Sequence, residues 1–450
     1  MPGARQGNRR KDRDTFDSKP LQKTRQPARQ EKEKPERAPP SKPAPQREDT
    51  ETGPINLSTT IPIPLQQLLL DVFKQALLTS PADPQTDAAS DADATATANG
   101  ESTAEPVTLD TKSLIQTIKS HLYQRDFDSA FAEAGEELLR AYALRWSAAR
   151  ALGYAGIFKA VLRWMESENG SSHGSTRVVC IGGGAGAEIV ALAAAWRDLG
   201  GENDGVAALG EGVQGVSLDE REKLEENGDA GKTTSVSPRL TVEAVDIADW
   251  SIVMDRLSKT IASPDVPTQK SSRYQPPLLP NSQDKPGLEV SFTRKDVLGL
   301  PETDLKDLIL GPSPPPSTST STSPPSLLVT LMFTLNELFT TSMPKTTGLL
   351  LNITELLPRG AVLLVVDSPG SYSTLKLGKA KDGGEVQERQ YPMKFLLDHT
   401  LLSVAKGKWE RILTQDSRWW RREASRLRYE VGEGAGLEDM RYQVHVYRRL

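Results

Sequence analysis

The sequence predicts an α/β fold: a Rossmann-like, mostly parallel sheet closed by a C-terminal antiparallel hairpin, preceded by a helical extension and interrupted by disordered insertions. Three observations carry that prediction. A glycine turn, "GGGAGA" at 182–187, joins an apolar strand-like run to a helix-like pattern. Strand-like and helix-like segments then alternate for almost two hundred residues. The chain ends on two further strand-like runs joined by a charged connection.

The N-terminal 50 residues hold 14 Lys/Arg against 8 Asp/Glu, while the whole 450-residue chain is −5. With one aromatic residue, Phe16, this stretch lacks the apolar content to form a core. Residues 1–58 read as a disordered basic tail. "RRKDR" at 9–13 suits nuclear import or phosphate attraction as well as plain solvation. From residue 59 a helical extension is expected through 165. In "LQQLLLDVFKQALL" (65–78), Leu65, Leu68, Leu69, Val72, Phe73 and Leu77 share one helical face. An Ala/Thr/Asp-rich linker at 80–106 follows and reads as disordered. Helical spacing resumes from Leu109 to Met165, where Leu139, Tyr142, Ala143 and Trp146 form a stripe expected to pack on the next domain.

Residues 166–450 read as that domain. Strands are predicted at 178–181, 240–245, 289–293, 327–332 and 361–366, and helices at 187–197, 249–260, 336–342 and 346–357. Strand–helix alternation predicts parallel strands with right-handed crossovers. Three tracts without apolar periodicity, 199–237, 262–287 and the "GPSPPPSTSTSTSPPS" run at 311–326, are expected to be disordered insertions. "WERILTQ" (409–415) and "YQVHVYRRL" (442–450) are expected to pair antiparallel.

Composition narrows the chemistry. The single cysteine, Cys180, excludes an intramolecular disulfide and a multi-cysteine zinc site, and fits a reducing compartment. The four histidines show no metal-ligand spacing, so no metal is expected. The longest apolar run, around 349–366, is broken by Glu355, Pro358, Arg359 and Gly360, so no membrane span is expected.

A glycine turn between strand and helix lets a ligand approach bare backbone and the helix N–H groups. Gly182, Gly183, Gly184 and Gly186 satisfy both a dinucleotide pattern and the G-x-G-x-G of methyltransferases, and such turns also occur as plain connections. The C-terminal hairpin favours the class I S-adenosylmethionine-dependent methyltransferase arrangement. Asp246 ends the second strand, where a carboxylate accepts from both ribose hydroxyls, though NAD would suit it too. Asp296 follows the third strand, where methyltransferases place an acid facing the adenine amine. Either aspartate could instead cap the helix that follows. Two places before the first glycine, where many methyltransferases carry an acid, stands Cys180.

The segments "LYQRDFDSAF", "AYALRWSAARALGYAGIF", "VVCIGGGAGAEIVALAA", "VDIADWS", "LLVTLMFTLNELF", "LLPRGAVLLVVDSPGSYS" and "YPMKFLLDHTLL" resemble, in order and spacing, fungal 25S rRNA uridine-N3 methyltransferases with a helical N-terminal extension. The likeness covers roughly 60–80, 110–198, 238–260 and 288–450. It implies S-adenosyl-L-methionine as cofactor and ribosomal RNA or a pre-ribosomal particle as partner; a nuclear or nucleolar location, with the cytoplasm as alternative, and a monomer are expected. Attack on C5 would need a cysteine nucleophile, and Cys180 lies beneath the turn. The Asn/Asp-Pro-Pro-aromatic motif of exocyclic-amine methylation is absent. Asn336, Glu337 and Asp367, at the ends of the fourth and fifth strands, are the candidates to orient or deprotonate the uridine imide. Glu337 could equally be a helix-start acid. The Trp/Arg-rich stretch at 409–429 suits RNA stacking and phosphate contact, or else sheet core beside a solvated face. Methylation of another RNA position or of a protein, or a non-catalytic assembly role, are the alternatives.

Overall fold

The computed structural model describes residues 53–78, 109–124, 126–169, 175–211, 239–279, 287–311, 325–370, 372–377 and 387–450. In chain order the elements are α1 (Ile63–Leu77), α2 (Thr111–Gln124), α3 (Glu136–Tyr142), α4 (Ala148–Asn169), β1 (Thr176–Ile181), α5 (Ala187–Glu211), β2 (Leu240–Asp246), α6 (Ser251–Ile261), β3 (Leu288–Arg294), α7 (Glu302–Leu310) and β4 (Ser326–Met332). The chain continues with α8 (Leu335–Leu356), β5 (Val362–Asp367), β6 (Tyr372–Leu377), β7 (Gln387–Pro392), α9 (Met393–Asp398), β8 (Trp409–Trp420) and β9 (Met440–Arg449). π-helical turns at Ala143–Ser147 and His399–Val404 continue α3 and α9.

Seven strands form one sheet in the order β3-β2-β1-β4-β5-β9-β8. The first five are parallel, and β9 runs antiparallel between β5 and β8. The apolar runs "VVCI", "LLVTLM" and "VLLVV" lie centrally because both faces are covered, which removes the usual alternation. One face packs on α1, α4, α5 and α6, the other on α7, α8 and α9. The predicted fold class is therefore the observed one. The helical break predicted between 342 and 346 falls inside α8 at Ser342 (φ −160°, ψ 102°), two residues before Pro344.

The extension shares the core of the sheet. All six predicted stripe residues of α1 are buried, in one cluster with α5, α6 and β1. Arg140, 1% exposed, donates from Nε and Nη2 to the Leu77 carbonyl (3.1 and 2.8 Å), capping α1 with charge at the negative end of its dipole.

Four expectations are corrected. The tail does not run to 58, because Ile55 and Leu57 are buried. The tract 199–237 opens as helix, since α5 continues to Glu211. The tract 262–287 packs through 279: Val266, Leu278 and Leu279 are buried, Arg197 donates to the Gln275 and Pro277 carbonyls (2.9 and 2.8 Å), and Tyr274 donates to Asp198 (3.2 Å). Its few apolar residues fill separate slots, so they show no period. The β6–β7 hairpin was not expected, since its sequence is charged and lacks an apolar alternation. The linker 80–106 and most of 199–237 and 311–326 fall outside the described residues. Among the described residues, no helix is long and apolar enough to cross a membrane, and no three acids, histidines or cysteines are grouped to hold a metal ion.

Candidate active site

Strand order reverses at β1, with β2 on one side and β4 on the other, so a crevice opens at their carboxyl ends. The glycine turn lies there. Gly182 and Gly186 take φ of 78° and 81°, a region that L side chains rarely adopt. Gly182 N donates to Val245 O (2.8 Å), and Gly184 N donates to Asp246 Oδ2 (3.2 Å). A Cβ at Gly184 would land on Trp250 and 2.8 Å from the Asp246 Cβ, and one at Gly183 would sit 2.6 Å from the Cys180 Cβ. The turn is thus a bare cradle pressed against the end of β2.

Asp246 is half-buried and also accepts from Ala248 N (3.2 Å). Burial raises its pKa, and bonds from Ala248, Gly184 and Trp250 oppose that shift. Asp296 follows β3 one strand over, where Lys295 N donates to Asp246 O (2.9 Å). It is exposed, and its Oδ1 accepts from Leu298 N (2.9 Å) within its own loop.

After β4, Phe333 turns to φ 61°, a strained value for a non-glycine residue, held by a 2.6 Å bond from its N to Val366 O. This turn starts α8, with Asn336 and Glu337 in the first helical turn. Asp367, 3% exposed, accepts from Asn336 N (3.0 Å) and from Ser368 N (2.7 Å), so it ties the ends of β4 and β5 together. Among the described residues, the buried Asn336 Oδ1 has no hydrogen-bond partner. Glu337 reaches solvent, yet protein crowds it enough that desolvation pushes its carboxyl up to about 7; Arg150 opposes the shift, and Asp367 and Asp246 add to it.

Sequence reasoning missed two charged groups. Arg150, from α4, donates to the Tyr142 hydroxyl (3.1 Å) and lies 4.9 Å from the Phe333 ring centre. Burial works against its charge, but Tyr142, Tyr154 and Glu337 hold its pKa above the ordinary arginine value. Glu188, in the first turn of α5, folds back so that its carboxyl carbon lies 3.5 Å from where a Gly183 Cβ would be, beside Cys180. Burial pushes it up to about 8; a bond from its own backbone and Arg150 oppose the shift, and Asp246 adds to it. An acid thus stands next to the cysteine where the strand itself carries none. Aromatic rings wall the extension side: Tyr142 lies 5.7 Å from Trp250 and 5.0 Å from both Phe131 and Trp146. The available signal was an arginine and a tyrosine four residues apart, Arg150 and Tyr154, on a helix otherwise apolar over "ALGYAGIF".

Glu188 and Glu337 thus face the Arg150 guanidinium, and Asp246 and Asp367 lie within electrostatic reach of those two acids. Residues 95–448 match the model of a family described as "Putative SAM-dependent methyltransferase". The chain is also 30% identical, over 74% of its length and 76% of the relative's, to the 25S rRNA (uridine(2843)-N(3))-methyltransferase of Saccharomyces cerevisiae. The chain belongs to this methyltransferase family. Solved methyltransferases from Methanosarcina mazei (9% identity, 63% of this chain and 96% of that one, TM-score 0.28) and Clostridium acetobutylicum (9%, 73% and 98%, 0.27) also match. Scores that low leave the fold resting on the methyltransferase's own strand order.

The C-terminal Trp/Arg stretch divides. In this methyltransferase Trp409 is buried and donates from Nε1 to Thr354 Oγ1 (2.9 Å), Trp420 packs against the extension-side core, and Trp419 is 49% exposed. Tyr429 donates to the Leu144 carbonyl (2.9 Å), Arg411 pairs with Asp398 (3.2 Å) and Arg421 with Asp439 (2.9 Å). The sheet-core reading holds for Trp409 and Trp420, and Trp419 stands at the surface.

Proposed function

We propose that the crevice transfers a methyl group from S-adenosyl-L-methionine to N3 of a uridine in large-subunit ribosomal RNA. The observation that carries this reading is the bare glycine turn held against Asp246 at the switch point of the sheet, with Glu188 and Glu337 beside Arg150 and Asp367 near Glu337. A ligand with a sulfonium and an ammonium as its cations and one carboxylate as its anion complements that set. Asp246, beside the glycine cradle at Gly182, Gly183, Gly184 and Gly186, takes the ribose hydroxyls. Glu188 takes the ammonium, Arg150 the carboxylate, and Asp296 the adenine amine. When bound, the cofactor supplies an electrophilic methyl on sulfur.

The chain's own residues then handle the base. Uridine N3 carries a proton that must leave as the new N–C bond forms. Glu337, with a pKa near neutrality and access to the crevice mouth, is placed to take it. Asn336 orients the imide by donating from its side-chain NH2 to an imide carbonyl, and Asp367 holds Asn336 in place through the Asn336 backbone N–H. Cys180 is fully buried and its thiol is pushed up by burial, which supports attack at N3 over C5. Base pairing hides the N3 edge, so the nucleotide must be unpaired or extruded. Every group named comes from a single chain. An enzyme acting on ribosomal RNA belongs, in this proposal, with ribosome assembly in the nucleus or nucleolus.

The test is incubation of the full chain with methyl-labelled S-adenosylmethionine and unmodified large-subunit rRNA, followed by digestion to nucleosides. 3-Methyluridine is the expected product. Label in another nucleoside or in protein would replace the substrate assignment, and no transfer despite cofactor binding would leave a non-catalytic assembly role.

A further inference from the structure

The sheet places an aromatic surface beside the crevice. Asp367, at the carboxyl end of β5, pairs with Gln443 of β9, and two residues away Arg441 pairs with Trp419 of the edge strand β8. Two strands and two residues correspond to about 12 Å at ordinary sheet spacings. Gln443 and Asp367 are also linked directly, since Gln443 Nε2 donates to Ser368 O (2.7 Å). Side chains alternate along β9: Val444 and Val446 join the extension-side core, while Tyr447 joins the opposite one. Arg441 and Gln443 therefore lie on the same face as Tyr447, and Trp419 faces that way across from Arg441.

Trp419 is half exposed at the rim, with the Arg421 guanidinium 4.3 Å and that of Arg441 5.8 Å from its ring centre. Both arginines are anchored. Arg421 pairs with Asp439 (2.9 Å), and Arg441 Nε donates to Ser417 Oγ (3.1 Å). The neighbouring stretch 418–428 carries five arginines against one acid, Glu423. A flat π surface held between two positioned guanidinium groups does little for the core, where Trp409 and Trp420 already serve. Its charge complements a polyanion, and its ring complements an exposed base.

We propose that Trp419, with Arg421 and Arg441, is a stacking platform for an unpaired nucleotide of the RNA substrate, near the uridine held in the crevice. This rests on the rRNA methyltransferase reading. Single-stranded RNA is the occupant, because a paired base exposes no face to stack on. The platform fixes the strand's path across the rim so that its neighbouring nucleotide enters between β4 and β5.

The test is equilibrium binding of the full chain to a uridine-containing single-stranded RNA of about ten nucleotides and to its duplex, with S-adenosylhomocysteine affinity measured by calorimetry. Wild type should prefer the single strand. Trp419→Ala should weaken single-strand binding by at least about fivefold, Trp419→Phe should keep most of it, and both should bind S-adenosylhomocysteine as wild type does. Arg421→Gln combined with Arg441→Gln should lower the salt slope by about two. Unchanged affinity in Trp419→Ala, equal losses in the alanine and phenylalanine variants, or equal binding of duplex and single strand by wild type overturns the platform. Those results leave the methyltransferase reading standing. A wild type that binds S-adenosylhomocysteine but no RNA, or that instead captures a protein, overturns both.

Discussion

Glu337 titrates where a proton acceptor for the uridine imide is most useful. Its carboxyl, pushed up to about 7, is protonated and idle in acid and becomes a base as pH rises. The rate of methyl transfer should therefore climb from about pH 6 to about pH 8, with its midpoint near 7, and level off above, apart from the slower contribution of imide ionisation. Glu337→Gln should remove that limb and lower the plateau by about 10²-fold. A glutamine variant with the wild-type profile would place the base elsewhere. At this scale the polar residues at strand ends were legible, since Asp246, Asn336, Glu337 and Asp367 follow apolar, strand-like runs. Arg150 and Glu188 were not. Both come from helices, and their approach to the glycine turn depends on how α4 and α5 pack, which no local pattern encodes.

At the level of elements, the extension is part of the catalytic fold. α1 buries Leu65, Leu68, Leu69, Val72, Phe73 and Leu77, and Arg140 of α3 caps it. The same core carries α4, and with it Arg150 and Tyr154. Phe73→Ala should cost about 3–5 kcal/mol, read as an earlier midpoint in urea. The chain should still unfold in one transition, and S-adenosylhomocysteine binding should weaken, because the wall of the crevice rests on α1. A separate early transition with unchanged cofactor affinity would show that the extension is an appendage. The α1 stripe and the five parallel strands were readable because burial imposes a period or an unbroken apolar run. The β6–β7 hairpin and the 262–279 loop were not, because one is charged and the other buries isolated residues held by Arg197 and Asp198.

Over the whole molecule, a chain of net charge −5 is assigned a polyanionic substrate. Its positive charge is concentrated accordingly: +6 over the first 50 residues, and five arginines against one acid at 418–428. The acids gather instead near the carboxyl ends of β1, β2, β4 and β5, where the proposed site sets the cationic groups of the cofactor. In that proposal one face holds a cation while its edge holds RNA. The account's central claim is that cofactor and uridine meet between those strand ends, with Asn336 touching the base but not the cofactor. The most direct test is Asn336→Ala, assayed in parallel for S-adenosylhomocysteine affinity by calorimetry and for single-turnover methylation of the rRNA. The account predicts near-normal affinity with turnover reduced by about 10²-fold or more. Wild-type turnover in that variant would contradict it and move the chemistry away from the end of β4.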